Sequence, residues 1–161
     1  MEHATLKRIL RYSKQTGQFI WRVKYSRKVV KGNVAGGLNV AGYVVIGIDG
    51  RTYYAHRLAW FYVTGEWPNQ IDHRNGNRAD NQWSNLRLAT HQQNILNAKK
   101  CQANTSGFKG VSWHKGAGKW SAYIILDGKK RHLGLYETPE LAHLSYVNAA
   151  TAAQPEFVRA S

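Results

Sequence analysis

The dipeptide Asp-Gly appears twice, as Asp49-Gly50 and Asp127-Gly128, each time between two strand-like runs. A tight hairpin turn needs positive φ at its central positions, and this dipeptide supplies it at low steric cost. The flanks "AGYVVIGI" and "RTYY", and likewise "KWSAYIIL" and "KRHLGLY", are therefore expected to pair antiparallel. "TGQFIWRVKYS" (Thr16 to Ser26) alternates apolar and polar residues and adds a strand, as does "FKGVSWH". Helices are expected where caps precede an apolar pattern. One runs from Thr5 to about Tyr12, and one from about His56 to Thr64, ended by Gly65 and Pro68. A third starts at a capping box, Thr90 with Gln93, and reaches about Lys99. A fourth opens at Thr138-Pro139 and ends near Ala153, with small residues at Ala142, Ser145 and Ala149 that let it lie close on a sheet. The fold class is α+β.

A chain of 161 residues has room for one ordinary domain or two small ones. "CQANTSG" (Cys101 to Gly107) is small, polar and without periodicity, which suits a linker. The expected division is residues 1–100, a linker at 101–106, and a second module at 107–153. The single Cys101 excludes an intramolecular disulfide framework and a multi-cysteine zinc site, and it reads as an incidental thiol in the linker. The opening residues Met1 to Leu10 lack a signal-peptide pattern, so the cytoplasm is the expected location.

Charge narrows the partner. Lys plus Arg number 23 against 9 Asp plus Glu, a formal net charge of +14, and no carboxylate lies between Glu2 and Asp49. A surface built only for solubility mixes both signs, so this imbalance points to a polyanion, with nucleic acid first among the choices. An anionic membrane surface would also attract it, but no apolar run of about 20 residues and no long amphipathic helix is present.

The stretch "QIDHRNGNRADNQWSNLRLATHQQN" (Gln70 to Asn94) carries the most chemistry. "IDH" ends a strand, "RNGNRADNQ" is turn chemistry, "WSNLRLA" returns as a strand, and a helix follows. In that order Asp72 and His73 close the first strand, Asn85 sits in the returning one, and Asn94 stands early in the helix. An Asx-turn cluster with no catalytic role would use the same residue types.

The pattern resembles the HNH nuclease (ββα-metal) family, in the HNN variant of phage-encoded homing endonucleases, with His73, Asn85 and Asn94 at the signature positions. The preceding "YAHRLAWFYVTGEWP" is similar too, and the resemblance covers about residues 5–100, with the ββα-metal core at about 69–100. Phosphodiester hydrolysis needs a cation on the phosphate, an activated water and a stabilised leaving oxygen. Asp72 and the amide oxygen of Asn94 are the expected ligands of one divalent cation, Mg²⁺ or Mn²⁺, and no structural zinc is expected. His73 is the expected general base, and Asn85 is expected to fix the loop that carries it. The resemblance implies the same four roles. Arg57, Arg74, Arg78 and Arg87 flank the stretch as expected DNA-backbone contacts, although each also fits a solvated charge. His56 has a weaker claim, since it also reads as a residue that merely starts its helix.

Residues 105–152 resemble the APETALA/ethylene-response-factor DNA-binding domain through Lys109-Gly110-Val111, Lys119-Trp120 with Ala122, Leu133-Gly134, and Glu140, Ala142, Tyr146 and Ala149 on the helix. The resemblance implies a three-stranded antiparallel sheet laid in the major groove. Alternation puts Val111, Trp113, Trp120, Ala122, Ile124 and Leu133 toward the helix. Ser112, His114, Lys119, Tyr123, Lys130 and His132 then face DNA with Ser121, and Lys109 is counted among the DNA contacts. The plant domains carry more arginine on that face, so phosphate contact is expected more than base readout.

The sequence therefore predicts a metal-dependent DNA endonuclease, of the phage-encoded homing or free-standing kind. Double-stranded DNA is the expected partner, with no membrane, no small-molecule cofactor and a monomer as the expected state. The rival is a non-catalytic DNA-binding protein with a decayed nuclease module; an RNA-binding protein rests on charge and aromatics alone.

Overall fold

The computed structural model describes residues 1–27, 29–98, 100 and 104–158; Cys101 and the rest of the expected linker's first half lie outside them. The chain divides into two compact units, Met1–Leu88 and Ala89–Ser161, each a mixture of helix and small antiparallel sheet.

In the first unit, α1 (His3–Ile9) leads directly into β1 (Leu10–Tyr12), which pairs with β2 (Phe19–Trp21), and β2 pairs with β3 (Val34–Ala35). The helix expected to reach Tyr12 stops three residues earlier. Leu10 and Tyr12 are buried with Arg11 exposed between them, and they sit in register with Trp21 and Phe19, so cross-strand burial wins over helical propensity. The strand expected over Thr16 to Ser26 is confined to its three most apolar residues. Next come β4 (Gly37–Leu38), β5 (Val44–Ile48) and β6 (Arg51–Tyr54), ordered β4-β5-β6. Asp49 and Gly50, joining β5 to β6, take φ of 50° and 72°, the pairing of signs the dipeptide favours. Helix α2 (Ala55–Thr64) follows, then β7 (Ile71–His73) and β8 (Leu86–Leu88) in an antiparallel pair. Just before β8, Trp83–Asn85 forms a 3₁₀ turn where the sequence suggested continuous strand. Leu6, Leu10, Phe19, Ile46, Ile48 and Leu58 are almost fully buried in one core, each contributing about 1.5–3 kcal/mol by removal from water.

The second unit begins with α3 (His91–Asn97), whose capping box is formed: Thr90 Oγ1 accepts from Gln93 N, and Thr90 N donates to Gln93 Oε1 at 2.8 Å. Strands β9 (Val111–His114), β10 (Lys119–Leu126) and β11 (Lys129–Tyr136) make an antiparallel sheet with β10 central. Asp127 and Gly128 repeat the positive-φ turn, at 52° and 72°. Helix α4 (Pro139–Ala153) packs on the sheet through Ala142 against Val111 and Ala122, and through Tyr146 and Ala150 against Ile124. Trp113, expected under the helix, is 48% exposed and meets Trp120 edge-on at 5.1 Å. The helix covers the Val111–Ala122 end of the strand pair and leaves this tryptophan outside the core cluster.

Candidate active site

Strand β7 is buried at all three positions, which places a carboxylate and an imidazole side by side inside the first unit. Asp72 is the cross-strand partner of Arg87, and the two form a buried ion pair: Arg87 Nε and Nη2 reach Asp72 Oδ2 at 2.8 and 2.7 Å, with the residues 7% and 8% exposed. Both nitrogens meet the same oxygen, so the guanidinium holds the carboxylate at Oδ2. Arg87 was expected on the DNA backbone; burial and this pairing give it an internal role instead.

The loop after β7 is organised by asparagines. Asn75 N donates to Asn85 Oδ1 at 3.0 Å, and Asn85 Nδ2 donates to Asp80 O at 2.7 Å, so one amide side chain ties both ends of the loop. Asn75 Oδ1 accepts from Asn77 N, Asn77 Oδ1 from Ala79 N, and Asp80 Oδ1 from Gln82 N, three successive side-chain turns. The loop is also anchored to the start of the chain. Tyr12 Oη donates to Asn81 O at 2.6 Å, Trp83 N donates to Lys14 O at 3.0 Å, and a Cβ at Gly17 would lie 2.4 Å from the Asn81 carbonyl carbon. Gly17, at φ 71°, is the residue type that permits that approach.

Asn81, 3% exposed, was not singled out by the sequence, yet it holds His73: its Oδ1 lies 3.2 Å from His73 Nε2. Asn81 Nδ2 donates to Ala79 O at 3.2 Å, which fixes the amide with its oxygen toward the imidazole. Nε2 then carries the proton, and Nδ1 is the basic nitrogen. Burial pushes the His73 pKa below the usual histidine value, against smaller opposite effects of the Asn81 hydrogen bond and the Asp72 and Asp80 charges.

His56, in the first turn of α2, also belongs to this cluster. Its ring meets His73 edge-on with centroids 5.0 Å apart, and lies 5.3 and 5.5 Å from Tyr43 and Tyr54. It is 8% exposed, and its Nδ1 has no hydrogen-bond partner among the described residues. Burial first, then the neighbouring His73 and Arg57, lower its pKa to about 3. His56 is therefore neutral in the fold and becomes protonated on unfolding wherever the pH lies between about 3 and 6.5. Its contribution is complete above pH 6.5 and is lost as the pH falls toward 3, a stability loss on the order of 5 kcal/mol at most. Denaturant unfolding followed by tryptophan fluorescence from pH 7.5 to 4.5 is expected to show this decline, and His56→Phe to flatten it. An unchanged slope in that variant would remove His56 as the cause.

The remaining expected contacts fall in different places. Arg57 Nη1 donates to Asn69 O at 2.9 Å, and Arg78 Nη1 donates to Ala41 O at 3.1 Å while lying 4.9 Å from the Tyr43 ring centre. Arg74 is exposed, and its backbone N donates to Asn85 O. In the second unit Asn94 stands in the first turn of α3, and its part as a metal ligand comes from the sequence pattern. Lys109 Nζ donates to the carbonyls of Ile95, Leu96 and Ala98 at 2.8, 2.7 and 2.6 Å, so the ammonium caps the C-terminus of α3, where a cation is favoured, rather than standing out from the sheet. Lys119 pairs with Glu137 at 2.7 Å, and Lys130 lies 3.9 Å from the Tyr123 ring centre. Ser112, His114 and His132 are exposed on strands β9 and β11.

A metal fits the first unit only in a restricted sense. Among the described residues no group of three or more His, Cys, Asp and Glu that could hold a metal ion comes together. Asp72 offers hard oxygen, suited to Mg²⁺ or Mn²⁺ held by few protein ligands. No helix of the described residues is long and apolar enough to cross a membrane.

Comparison with known proteins finds three similarities. Protein 3.8 of Escherichia phage T7 is 37% identical over 79 residues, covering 48% of this chain and 65% of the phage protein, so the chain matches less than two thirds of that relative's length. A solved structure titled "DNA binding and cleavage by the HNH homing endonuclease I-HmuI" aligns over 91% of this chain and 77% of its own, at 21% identity and a TM-score of 0.42. Residues 53–96, which carry His56, Asp72, His73, Asn81, Asn85 and Asn94, match the family described as HNH endonuclease.

Proposed function

We propose that the protein is a metal-dependent DNA endonuclease in which His73 activates the attacking water. The observation that carries this reading is His73 itself: a buried imidazole with Nε2 committed to Asn81, beside Asp72, in the stretch that matches the HNH family. A bound Mg²⁺ or Mn²⁺ would supply positive charge at the scissile phosphate and the leaving oxygen. On this reading Asp72 would hold it, and the resemblance implies the amide oxygen of Asn94 as a second ligand. His73 Nδ1 takes the water's proton, Asn85 and Asn81 keep the imidazole in place, and Arg57, Arg74 and Arg78 meet the DNA backbone. The Ser112, His114, Lys119, Tyr123, Lys130 and His132 face is the proposed DNA-binding surface of the second unit.

A second reading is favoured by one observation. The Asp72 carboxylate already has Arg87 as a counter-charge, as a DNA-binding protein with a decayed nuclease module would also show. Supercoiled plasmid separates the two. Nicking or linearisation is expected with Mg²⁺ or Mn²⁺ and is expected to vanish with chelator; binding without any metal-dependent cutting of a broad sequence pool would favour the binder.

A further inference from the structure

The turn joining β4 to β5 carries Val40 at 112% relative exposure, with Leu38 at 68% two residues before it. The turn that presents them is closely determined. Asn39 Oδ1 accepts from Ala41 N and Tyr43 N, both at 3.0 Å, Asn39 N donates to Tyr43 O at 2.9 Å, and Gly42 N donates to Asn39 O at 2.9 Å. The turn is also tied to the candidate site. Arg78, from the loop after β7, donates to Ala41 O and lies over Tyr43, and the Tyr43 ring is 5.3 Å from His56 and 6.1 Å from His73. The tip belongs to the stretch from His3 to Ile48, which holds nine Lys and Arg and no carboxylate. Charge complementarity therefore selects a polyanion as its occupant.

An apolar side chain held out on a fixed turn, with an arginine beside it, is how DNA-bending proteins pry apart adjacent base pairs while cations hold the phosphates. We propose that Val40, backed by Leu38, is such a wedge, inserting from the groove at a base step of duplex DNA next to the candidate site. The proposal rests on the nuclease reading only for which phosphate lies beside the wedge; the insertion itself requires duplex DNA alone. Unstacking there would loosen the backbone that His73 must approach, and it favours flexible pyrimidine–purine steps at positions no side chain reads by hydrogen bonds.

The test uses the full chain. Plasmid relaxed by topoisomerase I in the presence of the protein and EDTA reports unwinding with cutting switched off. The wild type and His73→Ala are expected to shift the topoisomer distribution. Leu38→Ser/Val40→Ser is expected to lose more than about half of that shift at equal occupancy, measured by anisotropy, because the apolar insertion is gone while the phosphate contacts remain. Both positions are exposed, so the variant retains its core, and Val40→Leu is expected to keep the shift. No shift with the wild type, an undiminished shift in the serine variant, or a loss in Val40→Leu as well, would overturn the wedge. Self-association that disappears in the serine variant while the topoisomers stay unchanged would mark a protein contact and overturn it too. With Mg²⁺, the serine variant is expected to nick intact duplex about tenfold more slowly, and a mismatch-bearing duplex only about twofold, since the mismatch is already unstacked. Equal losses on both substrates count against insertion. If no DNA is nicked yet the topoisomer shift follows Val40, the nuclease reading fails and the wedge stands; nicking without a shift overturns the wedge and leaves the nuclease reading in place.

Discussion

His73→Ala is expected to lower metal-dependent DNA cleavage by about 10²–10⁴-fold while changing DNA affinity little, because a positioned general base contributes about that much. Two observations make the imidazole the place to look. Its Nε2 is occupied by Asn81, whose own amide is oriented by Ala79 O, and its ring packs against the neutral His56. Removing the ring leaves the Asp72–Arg87 pair in place but opens a cavity beside Asn81 and His56, so some stability is lost and cleavage is compared well below the variant's own melting temperature. DNA affinity follows the phosphate contacts rather than this buried side chain. Single-turnover cleavage alongside anisotropy is the measurement; a rate within about threefold of wild type would assign the base elsewhere.

Arg87→Ala is expected to destabilise the first unit by about 3–5 kcal/mol, a large part of the stability of a small domain. The effect comes from the group left behind: Asp72 is 7% exposed, and the substitution removes both nitrogens from its Oδ2. Arg87→Lys restores only part of the loss, since an ammonium cannot present the guanidinium's two nitrogens to one oxygen in that geometry. Chemical denaturation reads this directly, and a loss below about 1 kcal/mol would show that the carboxylate is held by its other contacts or by water.

What could be read from the chain alone was the local chemistry. Asp49-Gly50 and Asp127-Gly128 fold as turns because their conformational preference is intrinsic to two adjacent residues, and Thr90 with Gln93 caps α3 for the same reason. The triplet Asp72, His73 and Asn85 was visible because strand, turn and strand follow one another within the short stretch from Ile71 to Leu88. The partners at a distance were not visible. Asn81 stood in a run of turn formers with nothing to mark which amide faced an imidazole. Arg87 looked like any other arginine of a basic chain until the β7–β8 register set it opposite Asp72. Lys109 carried the charge of a DNA contact, but only three dimensions bring it to the end of α3. In each case the deciding fact is a cross-strand or cross-element neighbour, which side-chain type and spacing do not encode.

The anchoring of the asparagine loop to the chain's first strands limits how far the matched segment can be treated as a cassette. The hydroxyl of Tyr12, the carbonyl of Lys14 and the bare Cα of Gly17 lie outside residues 53–96, yet they set the backbone of Asn81 and Trp83. Grafting that stretch onto another scaffold would transfer the reactive side chains without their foundation. Evolutionary shuffling of such a segment has to carry its N-terminal buttress along, or replace it with a surface of the same shape.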